Sequence, residues 1–239
     1  MVAQADDAVF RPVRTGNPFE ETVERLLQAI KLGVVAPGER LPAERDLATR
    51  LNVSRVTLRE AIHALTEAGY VESRRGRYGG TFVNEQLPKP RRTPARRIAR
   101  ELGDGLEDAL TLRGALETGA AEAAAARELS VAEIDHLQRC LADTSAANLT
   151  DYRRFDSRLH LAIAEVTGSP SLTSAVADAR MRLNELLDAI PLLSRNITHS
   201  NEQHEAIIQA ILEGDQAAAR AAMSEHLSGT ATLLHGFLT

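Results

Sequence analysis

From residue 104 to the end of the chain, apolar residues recur at helical spacing and no strand-like alternation of useful length interrupts them. Leu106, Leu110, Leu116 and Ala120 mark one long helix, and Val131 to Leu141 mark a second behind Ser130. Further helices are predicted over 151–167, 171–189, 201–213 and 215–235, separated by Gly168-Ser169-Pro170, Pro191 and Gly214-Asp215. Gly supplies the left-handed residue that closes a helix and Pro cannot continue one, so each break has a cause. Helices with apolar stripes bury them against one another, and the expected architecture is an all-α bundle of six or seven helices. Aromatic residues at 3% and the absence of Trp also favour helices over sheets.

The first hundred residues follow another plan. Val23, Leu26, Leu27 and Ile30 form a helical stripe closed by Gly33, and Ala36-Pro37-Gly38 makes a turn. A short second helix is predicted from near Pro42, which suits a first-turn position, through Leu47 to Leu51. Asn52 tolerates the left-handed conformation that a tight interhelical turn requires. Ser54 is placed to cap a third helix whose Leu58, Ala61, Ile62 and Leu65 face inward, and Gly69 ends it. Tyr70 to Ser73 and Thr81 to Val83 read as two short strands around a tip rich in Gly and Arg, residues 74–80. This order is a winged helix-turn-helix. The fold class is therefore mainly α, with an N-terminal winged helix-turn-helix and a C-terminal all-α bundle.

The net charge of −5 hides a division. Residues 11–100 carry 18 Lys/Arg against 10 Asp/Glu, a net +8, whereas residues 101–239 carry 10 against 21, a net −11. A basic front and an acidic rear fit a chain in which only the front meets a polyanion, though solvated charges can also segregate by chance. The single Cys140 excludes a disulfide within the chain and fits a reducing compartment. The opening residues lack the pattern of a signal peptide, and no apolar run approaches the length of a membrane span. A cytoplasmic protein with no membrane partner is expected.

Three blocks make the front specific: Leu41-Pro42-Ala43-Glu44-Arg45-Asp46-Leu47-Ala48, Val53-Ser54-Arg55-Val56-Thr57-Leu58-Arg59-Glu60-Ala61 and Gly80-Thr81-Phe82-Val83. In order and spacing they resemble the N-terminal domain of GntR-family bacterial transcription regulators. The resemblance implies that Arg45, Arg55 and Arg59 contact DNA, that Ser54, Val56 and Thr57 open the recognition helix, and that the wing around Arg75 and Gly76 enters the minor groove. An Arg at such a helix start can fork onto the two acceptors of guanine. Val56 departs from the small polar residue common at its position and offers a thymine methyl an apolar contact instead. The wing, with Tyr78 and two glycines, is longer than the common version. On this reading residues 15–85 are the DNA-binding domain, 86–103 a basic Pro-containing linker and 104–239 an effector-binding and dimerisation domain. Lys89, Arg91, Arg92, Arg96 and Arg97 leave the linker either a plain spacer or a further phosphate contact.

In the rear half Asp156 and His160, four residues apart, share one helical face, a spacing that more often makes a salt bridge than half a metal site. His204 and His226 lie on two later helices among apolar neighbours. Three imidazoles and one carboxylate on three helices of one bundle suit zinc, nickel, manganese or iron, and the donor set alone does not choose among them. The segments around these residues resemble the effector domain of the FadR subfamily, and all four metal-ligand positions of its metal-binding members are matched. Leu112-Arg113-Gly114-Ala115-Leu116-Glu117 is similar to that domain's first helix, whose Arg is implicated in gripping a ligand carboxylate; Arg113 could equally pair with Glu117.

The expected function is a ligand-responsive transcription regulator, a repressor in the simplest case. It would bind a pseudo-palindromic double-stranded DNA operator as a homodimer. A small organic acid at a divalent metal, zinc first, would set the DNA affinity. The alternatives are a constitutive regulator with a structural metal and a metal-dependent hydrolase. The hydrolase is disfavoured because His204-Glu205 has no second His at zinc-protease spacing and no general base is evident.

Overall fold

The computed structural model describes residues 10, 18–76, 79–88, 105–188, 190 and 194–238. Cα packing divides the chain into two compact units, one within Gln4–Pro90 and the other within Arg91–Thr239. Most of the basic linker (89–103), the wing residues Arg77 and Tyr78, and the expected helix break at Pro191 lie outside the described residues.

In the first unit α1 (Pro18–Lys31), α2 (Glu44–Leu51) and α3 (Arg55–Glu67) precede the antiparallel strands β1 (Val71–Arg74) and β2 (Gly80–Val83). Helix α3 packs against α1, α2 and β1, burying Leu58, Ala61, Ile62 and Leu65. The turn between α2 and α3 depends on Asn52, the only described non-glycine residue with positive φ (53°). Its short side chain makes that conformation affordable. Ser54 caps α3, its hydroxyl accepting from Thr57 N–H at 3.0 Å. Helix α2 starts at Glu44, later than expected, because the chain just before it is tied to the wing: Leu41 N–H donates to the Thr81 carbonyl at 2.9 Å. Val83 N–H likewise donates to the Glu39 carbonyl, so residues 39–41 edge the two-stranded wing.

The second unit contains, among the described residues, six helices: α4 (Gly105–Ala125), α5 (Val131–Ala146), α6 (Tyr152–Glu165), α7 (Pro170–Leu187), α8 (Ser194–Glu213) and α9 (Gln216–Leu238). Helix α4 packs against α6, α7, α8 and α9, and this encirclement explains its composition. Ala120, Ala121, Ala124 and Ala125 are all buried and let neighbouring backbones approach closely. Gly168 and Gly214, both near φ 74°, close their helices where predicted. Helix α8 begins seven residues before the predicted 201. Its first two turns lack an apolar stripe because Asn196, Ile197, His199 and Ser200 line a cavity rather than a packed core. No helix among the described residues is long and apolar enough to cross a membrane.

Helix α5 starts with a reciprocal cap: Glu133 N–H donates to Ser130 Oγ, and Ser130 N–H donates back to Glu133 Oε2 at 2.8 Å. That backbone bond, with Arg127 behind it, pulls the Glu133 carboxyl from 4.5 down to about 2. A depressed carboxyl stabilises the fold above its unfolded value and loses the contribution as pH falls through the folded one. Replacing Ser130 with Ala is expected to cost about 1 kcal/mol at neutral pH. In thermal melts, the deficit of Glu133→Gln against wild type is expected to shrink between pH 4.5 and 2; a deficit constant over that window would contradict an ionised cap.

Candidate metal centre and DNA-reading face

The α6 spacing brings Asp156 and His160 to one face, where α8 adds His204 and α9 adds His226. All four are buried, and one donor atom from each lies within 4.8 Å of the others. His160 Nε2 lies 3.2 Å from His226 Nε2 and 3.8 Å from Asp156 Oδ1, and His204 Nε2 lies 3.3 Å from the same oxygen. Three imidazoles and one carboxylate oxygen therefore converge on one point.

The groups behind these four fix which atoms face inward. Glu117 Oε2, from α4, lies 2.6 Å from His160 Nδ1, and Gln203 Oε1 lies 3.3 Å from His226 Nδ1. An acceptor behind Nδ1 favours the proton there, and in that tautomer the Nε2 lone pair is directed inward. Arg180, fully buried on α7, donates to Asp156 Oδ2, leaving Oδ1 to the centre. Arg113 Nε donates to Glu117 Oε1 at 3.2 Å.

Burial pulls His160 down to about 4 against the pull of Glu117. Burial, then repulsion from His204 and His160, pulls His226 well below its ordinary value. Burial pushes the Asp156 and Glu117 carboxyls up, but for Asp156 the Arg180 guanidinium, and for Glu117 Arg113 with His160 and Arg180, more than offset it. Both carboxyls stay ionised while His160 and His226 are neutral at pH 7. Two neutral imidazoles then face each other Nε2 to Nε2 across 3.2 Å, and neither ring nitrogen of His204 makes a hydrogen bond among the described residues. Such an arrangement is unfavourable without a cation and is what a nitrogen- and oxygen-ligated divalent metal requires. The residues fit the ion.

A cavity of about 200 Å³ borders this point. Tyr152, Asp156, Ser200, Gln203, His226 and Thr230 contribute to its wall, so it reaches two of the four candidate ligands. Arg113, the expected carboxylate grip, is 2% exposed, pairs with Glu117 and is absent from the cavity wall. Its Nη1 nevertheless has no hydrogen-bond partner among the described residues. Sequence reasoning missed Arg180 and Gln203: an Arg and a Gln on amphipathic helices carry no local sign that they are turned inward.

In the first unit Arg45, Ser54, Arg55, Val56 and Arg59 are exposed, and Thr57 is half-buried at the capped start of α3. Val56 is 65% exposed, a bare apolar side chain on the first turn of a helix. Arg75 and Gly76 are exposed at the wing tip, where Gly76 adopts φ 104°. A Cβ there would meet no described residue within 4 Å, so the glycine is explained by its backbone conformation.

Comparison with known proteins agrees with both halves. Residues 18–83 match the family described as bacterial regulatory proteins, gntR family, and residues 108–229 match the FCD domain. An Escherichia coli regulatory protein named for the L-lactate dehydrogenase operon is 32% identical, covering 91% of this chain and 86% of that protein. The Exu regulon transcriptional regulator of Escherichia coli is 30% identical, covering 90% and 84%. The solved structure of Escherichia coli McbR/YncC shares the fold, with a TM-score of 0.54 at 18% identity over 93% of this chain and 99% of that one. These relatives are transcription regulators rather than enzymes. The chain belongs to the GntR family of bacterial transcription regulators, with an FCD domain as its C-terminal part.

Proposed function

We propose that this regulator binds a pseudo-palindromic DNA operator as a homodimer, and that a small organic acid bound at a divalent metal sets its DNA affinity. Asp156, His160, His204 and His226 hold the metal, zinc before nickel, manganese or iron. The observation that carries the reading is the convergence of one donor atom from each of the four residues within 4.8 Å, beside a cavity. When bound, such an ion with five or six positions supplies open sites for ligand oxygens.

Charge argues for an acid. Two buried guanidiniums, Arg113 and Arg180, balance two buried carboxylates, Glu117 and Asp156, and His160 and His226 are neutral. A dication is then left uncompensated in a buried site, and an anion entering from the cavity restores neutrality. One relative is named for an L-lactate dehydrogenase operon. A 2-hydroxy acid of that kind offers a carboxylate and a hydroxyl to the same ion. Arg113 Nη1, buried without an acceptor, suits a ligand carboxylate.

DNA reading falls to the exposed face of α3 and the wing: Arg45, Ser54, Arg55, Val56, Thr57, Arg59, Arg75 and Gly76. Two-fold symmetry in the protein matches half-site symmetry in DNA. Repression follows where the operator overlaps a promoter. The specific second reading is a structural metal in a constitutive regulator, since a fully buried donor set also suits a closed site.

Three outcomes are expected. In melts of metal-loaded protein, a carboxylic acid at a hundred times its dissociation constant adds about 2.7 kcal/mol, raising the midpoint by roughly 5–10 °C. That rise disappears after chelation; a metal-loaded protein that responds to no acid in a broad panel favours the structural reading. His204→Leu removes two unsatisfied buried nitrogens, so it raises the midpoint of chelated protein and lowers that of metal-loaded protein. The same sign in both states contradicts a metal at this point. Light scattering of the chain with a duplex selected from random sequence is expected to give two chains per duplex, and one chain per duplex contradicts the dimer.

A further inference from the structure

Glu44, the first residue of α2, reaches across the helix-turn-helix to Arg59 on the second turn of α3, where Arg59 Nε donates to Glu44 Oε2 at 2.8 Å. The Arg59 and Glu44 side chains are 68% and 41% exposed, so the ion pair contributes little to stability. On a face that meets a polyanion, a carboxylate also works against affinity, because it repels the phosphates that drive binding. A group that helps neither stability nor affinity at this place has a third role open to it, which is orientation.

The chemistry of the guanidinium shows what is oriented. Its five N–H donors lie in one rigid plane, and the carboxylate occupies the one on Nε. Nη1 and Nη2 make no hydrogen bond within the described residues, leaving a free two-pronged edge. That edge matches the paired acceptors O6 and N7 of guanine in the major groove. Without the carboxylate, a long exposed Arg samples many rotamers and can turn to the nearest phosphate instead. With it, part of the ordering cost is met before DNA arrives.

We propose that Glu44 is a positioning residue that holds Arg59 as the reader of one guanine in each half-site, so that the pair sets sequence preference at the expense of overall affinity. The proposal rests on the DNA-reading role given to α3 above.

The test selects duplexes from a random-sequence pool with the full-length protein and then measures binding to single-base variants of the selected site. Wild type is expected to demand guanine at one position per half-site. Arg59→Ala lowers that preference by about tenfold or more at this position and leaves the others. Glu44→Ala lowers it at the same position by about 3- to 10-fold while tightening binding to unrelated DNA, a negative charge having been removed. Glu44→Gln keeps an acceptor for Nε–H, so it retains more of the guanine preference than Glu44→Ala and still shows the gain on unrelated DNA. If Glu44→Ala leaves every base preference unchanged, or weakens all positions alike together with a lower melting point, the proposal is overturned and Glu44 only favours the start of α2. If wild type selects no sequence at all, the DNA-reading role of α3 fails and the proposal falls with it.

Discussion

Four opposite charges share the buried junction where α4, α6 and α7 meet, and the second unit depends on their cancelling. Arg113 and Glu117 come from α4, Asp156 from α6 and Arg180 from α7. Burying any one of them alone would cost several kcal/mol, and the mutual attraction repays that only when every partner is in place. Glu117 carries the heaviest load: Arg113 on one oxygen, His160 against the other, and Arg180 3.7 Å from the first. Helix α4 thus does more than fill the middle of the bundle. It sets a carboxylate 2.6 Å from Nδ1 of a candidate metal ligand on a different helix.

This arrangement separates two properties that are often merged. The charged groups are balanced without a metal, so the helices can assemble around them. The imidazoles are poorly satisfied without one, since two Nε2 atoms face each other at 3.2 Å and neither nitrogen of His204 makes a hydrogen bond among the described residues. The metal is therefore expected to tune the stability of a bundle whose packing does not depend on it, unlike a zinc finger, where folding requires the ion. The neutral protein background also explains why an uncompensated dication would select anions from the cavity.

The legibility of the chain follows the range of the forces involved. Helix breaks at Gly168 and Gly214, the capping Ser54 and the left-handed Asn52 are local, and each was readable from a few neighbouring residues. The spacing of Asp156 and His160 was also local, but their union with His204 and His226 drew on resemblance as well as on pattern. Arg180 and Gln203 were not legible, because an inward-turned polar residue on a helix differs from an outward one only through contacts made by other helices. The start of α8 was missed for a related reason: its opening turns line a cavity, and a cavity wall does not need the apolar stripe that periodicity detects.

The same contrast of range separates the two sites. The proposed reading face of the first unit is built from exposed side chains, Arg45, Arg55, Val56 and Arg59, which are not part of the core formed by Leu58, Ile62 and Leu65. Changes there alter recognition with little effect on folding. In the second unit the groups around the centre are buried and share partners, Glu117 with His160 and Asp156 with Arg180, so loss of either member of a pair strands the other. Energies at such coupled positions do not add. On the proposed function a regulator gains from this division, because an exposed reading surface can change its sequence preference residue by residue while a buried ligand-responsive centre stays fixed. Glu44 fits the pattern: it is a carboxylate kept on an exposed face, where it can change what is read without changing what is folded.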